Sequence, residues 1–418
     1  MVSLRTAVAP LVVLAASASL VDARPSPVRL SGSVPSITNP DGSLSDAALE
    51  RNVGDTLAKL EGAGAPRRLG KRCDAGAAAA VALALEGGPS VLYTTAATIG
   101  VPAQPVSLIF DTGSYDMIVQ TTSQNGARAF NKRLSRTAKS DDVTGSFAGV
   151  LATDTVSVGG LSVAKQSFGL VESENVPGVS GVLGLSLSGD SNIGAPNLID
   201  NLIAAGKLPE PKVGLYFTPD GAGAEVVLGG EDKTRYTGAL ATFANPSPAR
   251  WTLNLQHAFY GKTYVTPLGQ NAFVFLDSAS TVSYLPTAYV AALHKKIPGA
   301  VLDKANGFEA PLAGKKYWVE RWAIPCSAVA SMKPFGFQFN RPRPNMLGTI
   351  YEITPASLVY GPLEEGSDMC ATTLWGVDIE LDGLPAGILG IPFLRNQYTV
   401  FNYGSTDSAP SISLGKLA

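Results

Sequence analysis

Val106-Ser-Leu-Ile-Phe-Asp-Thr-Gly-Ser114 and Ala272-Phe-Val-Phe-Leu-Asp-Ser-Ala-Ser280 are two versions of one phrase. In each, an apolar strand-like run ends directly in Asp, a hydroxyl residue, a small residue and Ser. A second matching piece follows each copy: Ser180-Gly-Val-Leu-Gly-Leu185 after the first, Ala386-Gly-Ile-Leu-Gly-Ile391 after the second. An internal repeat of this kind predicts two similar lobes facing each other across a cleft. Asn245-Pro-Ser-Pro248 breaks the pattern between the copies, dividing the chain into lobes over 73–245 and 246–418.

Outward from the repeat, the chain beyond Val81 runs in short apolar or alternating stretches broken by Gly, Pro, Asn and Asp, as an all-β protein does. Thr155 to Val163 predicts a hairpin turning at Gly159-Gly160. Glu225 to Gly230 and Trp251 to Gln256 predict further strands, and Pro196–Ala205 and Thr287–Lys296 short helices. The opening is different. Arg5, the apolar stretch Ala9 to Leu20 and the small-residue site Val21-Asp22-Ala23 make residues 1–23 a secretory signal. Residues 24–72 are rich in Pro, Ser and Gly and end in Lys71-Arg72, the form of a pro-segment cut after a dibasic pair; Arg67-Arg68 offers a second cut. This segment carries eight basic and five acidic residues, a net of +3. With Arg5 and Asp22 of the leader set aside, 23 basic and 28 acidic residues remain from Cys73 on, a net of −5. A cationic segment on an anionic body binds at neutral pH and loosens as carboxylates protonate; a disordered linker has the same charge. No other stretch nears the ~18 apolar residues of a membrane span, so a secreted, soluble protein is expected.

Hydrophobic residues make up 45% of the chain and charged ones 16%, enough for a large core. A net charge of −2 argues against nucleic acid as the main partner. The two histidines, His257 and His294, stand apart from any Ser, Cys or second His that would suit a Ser-His-Asp or zinc site. Cys73, Cys326 and Cys370 lack metal-ligand spacing, so neither metal nor cofactor is expected. The one Asn-x-Ser match, Asn245-Pro-Ser247, is blocked by proline.

The chemistry therefore rests on Asp111 and Asp277. A carboxylate at the end of a buried strand must be compensated, and small residues in the turn let backbone N–H groups approach it. Thr112 and Ser278 can hold the two loops in register, while Ser114 and Ser280 can reach the carboxylates or a substrate. Two carboxylates within hydrogen-bond reach share a proton. The ionised member then takes a proton from water while the protonated one polarises a peptide carbonyl.

Over nearly all of Val81 to Ala418 the sequence resembles the pepsin family of aspartic peptidases. The resemblance rests on Ile109-Phe-Asp-Thr-Gly-Ser114, Gly181-Val-Leu-Gly-Leu185, Leu228-Gly-Gly-Glu-Asp232 with Tyr236-Thr-Gly-Ala-Leu240, Leu276-Asp-Ser-Ala-Ser-Thr281, Ile324-Pro-Cys326 and Ile388 to Phe401, in family order. It implies a bilobal all-β double barrel with a few short helices, one catalytic aspartate per lobe, and a cleft for an extended peptide or protein substrate. It further implies a monomeric, secreted zymogen of the fungal type, activated in acid, and a Cys326–Cys370 disulfide. Substrate contacts are expected from Gly113, Ser114, Ser280 and the flap-tip residues Gly145 and Ser146. Three positions depart from the family. Ala279 replaces a glycine, adding a methyl expected to crowd the cleft floor and slow the reaction. Asp142 occupies the place of the flap tyrosine unless the loop register is shifted, and Ile118 that of a tryptophan. These departures leave open a second reading, a catalytically impaired pepsin-like protein that binds peptides or another protein.

Overall fold

The two copies of the repeat fold alike, in a computed structural model that describes residues 81–85, 92–121, 129–142, 149–172, 179–219, 221, 223–265, 271–312, 315–340, 348–381, 383–405 and 407–418. In the first, the strand Gln104–Asp111 runs parallel to Gly181–Gly184, and Met117–Gln120 returns antiparallel on the other side of it. In the second, Ala272–Leu276 runs parallel to Leu384–Leu389, and Ser283–Leu285 returns on its far side. Each aspartate thus sits where the chain leaves one strand and doubles back around a Gly-containing neighbour. The crowding there requires the glycine: a Cβ on Gly184 would lie 2.4 Å from the Tyr115 carbonyl carbon, and one on Gly390 2.3 Å from the Val282 oxygen.

Among the described residues the strands make sheets of seven, thirteen and six. The seven-stranded sheet contains the first aspartate strand and the thirteen-stranded sheet the second. The six-stranded sheet joins the halves. Its order is Val81–Leu85, Ala224–Leu228, Lys212–Phe217, Gln397–Asn402, Ser411–Leu417 and Tyr236–Ala244, and its central pairing of Lys212–Phe217 with Gln397–Asn402 is antiparallel. The result is the expected bilobal all-β fold. Alternating burial along Val150–Val158 shows the period-2 pattern that puts one face in the core.

The expected hairpin turns at Gly159 and Gly160, whose φ values of 57° and 84° suit a tight primed turn. Helices span Leu198–Ala204, capped by the Asn197 side chain, and Thr287–His294. One apolar core runs from Tyr93, Phe110 and Phe168 to Leu276, Phe337 and Phe393. Trp251 belongs to it, with the Phe401 and Tyr403 rings 5.1 and 5.0 Å away. Cys326 and Cys370 form a disulfide across a Cα separation of 5.0 Å. Among the described residues no helix is long and apolar enough to cross a membrane. The expected signal, pro-segment, Cys73, Gly145 and Ser146 lie outside the described residues.

Candidate active site

Asp111 ends its strand and Asp277 follows its own directly, and both are almost fully buried. Each carboxylate accepts the N–H two residues on: Gly113 N to Asp111 Oδ1 and Ala279 N to Asp277 Oδ1, both at 2.8 Å. The tight turn after each strand makes this bond, which partly compensates the desolvated charge.

The two loops lock together through their hydroxyl residues. Thr112 N donates to Ser278 Oγ at 3.0 Å, and Ser278 N donates to Thr112 Oγ1 at 2.9 Å. Each hydroxyl then donates into the opposite strand, Thr112 Oγ1 to Leu276 O at 2.9 Å and Ser278 Oγ to Phe110 O at 2.7 Å. Gly113 brings the acids to one place. Its N–H holds Asp111, while a Cβ on it would lie 2.5 Å from both Cγ and Oδ2 of Asp277. One glycine therefore lies against both carboxylates.

The hydroxyls beyond the small residues do not match. Ser114 Oγ donates to Asp111 Oδ2 at 2.5 Å. Ser280, expected to face the carboxylates or a substrate, is fully buried and donates to Val282 O at 2.7 Å. The chain turns there into Ser283–Leu285, and the hydroxyl satisfies the carbonyl of buried Val282.

Outside glycine, Asn340 alone among the described residues has a positive φ, so the backbone at 279 suits alanine. Its methyl joins a small buried apolar cluster with Leu92, Ile109 and Val179. Ile118 is partly buried in Met117–Gln120, and the strand Lys139–Asp142 pairs with Val150–Val158, with Asp142 opposite Val150.

Several buried polar groups around the site escaped the sequence reading. Tyr115 donates to Asp200 Oδ2 at 2.5 Å and accepts the Asn197 N–H at 3.1 Å. Burial pushes the Asp200 carboxyl up to about 6, against the Tyr115 hydrogen bond, which lowers it. Asp116 is raised by burial, opposed by donors from Asn192, Ser191 and Ile193. Tyr284, wholly buried in the Asp277 half, has its phenol raised far above the usual range by burial, with Tyr360 and Asp277 adding to the effect. Arg250, 4% exposed, donates to Asp190 Oδ1 at 2.7 Å. Tyr115 and Asp116 directly follow the first motif, which was the available signal; Arg250 and Asp190 are far apart in sequence and carried none.

A profile of the eukaryotic aspartyl protease family matches residues 92–412. Pepsin A of Sus scrofa is 30% identical over 325 residues, covering 73% of this chain and 77% of its own. Rhizopuspepsin of Rhizopus chinensis is 28% identical over 352 residues, 79% of this chain and 80% of its own. Vacuolar protease A of Neurospora crassa is 26% identical over 333 residues, 75% of this chain and 76% of its own. The fold, the span of the profile and the pepsin likeness agree: this chain belongs to the eukaryotic aspartyl protease family.

Proposed function

We propose that this protein is a secreted aspartic endopeptidase of the fungal type that hydrolyses peptide bonds in acid, with Asp111 and Asp277 as a catalytic dyad. The observation that carries the reading is Gly113, whose N–H binds one carboxylate while its Cα lies against the other. Two acids so close are placed to share one proton, the arrangement that general acid–base hydrolysis needs. The ionised member takes a proton from a water molecule as that water attacks the scissile carbonyl. The protonated member donates to the carbonyl oxygen, giving a tetrahedral intermediate; proton transfer to the leaving nitrogen then completes cleavage. Thr112 and Ser278 fix the separation of the loops, Ser114 orients Asp111, and Gly113, with Gly145 and Ser146, is read as substrate-binding.

The chain is further read as a monomeric zymogen with a signal at 1–23, an inhibitory pro-segment at 24–72 and lobes over 73–245 and 246–418. The direct check is incubation of secreted protein with a denatured protein substrate at about pH 3 and near neutrality. Cleavage in acid alone, blocked by a statine-type mimic of the tetrahedral intermediate, is the expected result. Binding of that mimic with no turnover would favour the peptide-binding reading, and metal-chelator-sensitive cleavage would overturn the dyad.

A further inference from the structure

The segment joining the halves carries a buried cation beside the Asp277 strand, and nothing in the hydrolytic mechanism above uses it. Ala249 O accepts Ser186 Oγ at 2.8 Å and Leu187 N at 3.0 Å. Trp251 donates Nε1–H to Leu185 O at 2.9 Å, and its carbonyl accepts Leu276 N at 2.9 Å. Position 250 is thus clamped from the first half and from the strand that delivers Asp277. The Arg250 guanidinium lies 5.6 Å from the Phe275 ring centroid and bonds Asp190 Oδ1 at 2.7 Å, with both side chains about 5% exposed. The antiparallel register that pairs Thr252 with Phe275 continues through Leu276 N to Trp251 O and sets Arg250 across from Asp277, so a cation over Phe275 lies on the Asp277 side. A buried ion pair rarely stabilises a fold more than an apolar pair of the same volume, so stability alone does not account for this one.

We propose that Arg250 is a positioning residue acting through Asp277, and that the Asp190–Arg250 pair sets the pH range over which the dyad holds its single proton. This rests on the dyad reading above. The cation favours the ionised form of Asp277, and Asp190 tempers that pull. Burial lowers the proton affinity of Arg250, opposed first by the charge of Asp190 and then by that of Asp277. Other titratable groups around Asp277 are Asp111 on the facing loop and the buried phenol of Tyr284. The neighbouring strand Leu384–Leu389 contributes none, and Thr252–Tyr260 carries His257 and Tyr260 at the end away from Asp277.

The test is the pH–rate profile on one peptide for wild type, Arg250→Met, Arg250→Lys and Asp190→Asn. Removing the cation moves both limbs to higher pH by about half a unit or more. Asp190→Asn leaves the cation untempered and moves both limbs lower, while Arg250→Lys stays near wild type. A purely structural pair would not give opposite shifts. If a single variant fails to fold, Arg250→Met/Asp190→Leu decides, as an apolar pair whose limbs rise by a smaller amount, because both charges go and Arg250 is the one set across from Asp277. Limbs that do not move, or that move the same way in both single variants, overturn the inference alone. A wild type without acid-dependent turnover overturns the dyad reading and this inference with it.

Discussion

Gly113 and Ala279 occupy equivalent places in the two loops, and only the second carries a methyl. A Cβ at 113 would press on the Asp277 carboxylate at 2.5 Å, whereas the Cβ at 279 already rests among Leu92, Ile109 and Val179. Gly113→Ala should therefore cost on the order of a hundredfold in rate, by displacing one acid from the other. Ala279→Gly should leave the rate within about twofold of wild type and lower stability by about 1–2 kcal/mol, through a lost buried methyl and a more flexible unfolded chain. Rates on one peptide and denaturant midpoints check both, and a large rate gain in Ala279→Gly would restore the expectation that this methyl slows the reaction. Both aspartates and their adjoining hydroxyls were legible in the sequence because the motif occurs twice. The direction of the 279 methyl was not, because it depends on strands far away in the chain. The burial of Ser280 was likewise invisible, since it follows from the path to Val282.

At the scale of elements, two strands from opposite halves deliver their carboxylates, and two hydroxyls keep the loops from drifting apart. Ser278 Oγ satisfies Thr112 N and Phe110 O, both buried. Ser278→Ala leaves that donor and acceptor without the hydroxyl and should cost about 2–4 kcal/mol in unfolding free energy. Ser278→Thr, which restores the hydroxyl type found at Thr112, should stay within about 1 kcal/mol of wild type. Urea unfolding of the three proteins distinguishes the outcomes; equal midpoints would mean that the grip adds nothing. The strand–Asp loop–strand unit, the hairpin at Gly159-Gly160 and both longer helices could be read from periodicity and turn residues. The joining of the halves by a six-stranded sheet could not, because Lys212–Phe217 pairs with Gln397–Asn402 across a separation that no local pattern encodes.

Across the whole molecule, two buried groups couple folding to pH with opposite signs. His294 is fully buried between Val290 O and Thr372 Oγ1, and desolvation lowers its pKa from 6.5 to about 4. Its contribution to stability is complete above its ordinary value and is lost as pH falls through that interval. Asp200 is raised from 3.8 to about 6 by burial, so protonation favours the fold and stability grows as pH falls from about 6 toward 4. Each effect is on the order of 3 kcal/mol, so they largely cancel in the acid range where the proposed enzyme works. Thermal midpoints between those pH values should be nearly flat in wild type as far as these two groups decide it. Asp200→Asn should fall with acidification and His294→Gln should rise; the same slope in all three would refute the pairing. The central claim, that two carboxylates share one proton to drive hydrolysis, is tested most directly by initial rates on a single peptide for wild type, Asp111→Asn and Asp277→Asn from acid to neutral pH. The account predicts turnover in acid that fades toward neutrality and falls by about a hundred- to ten-thousandfold in each variant. Wild-type rates in either variant would contradict it.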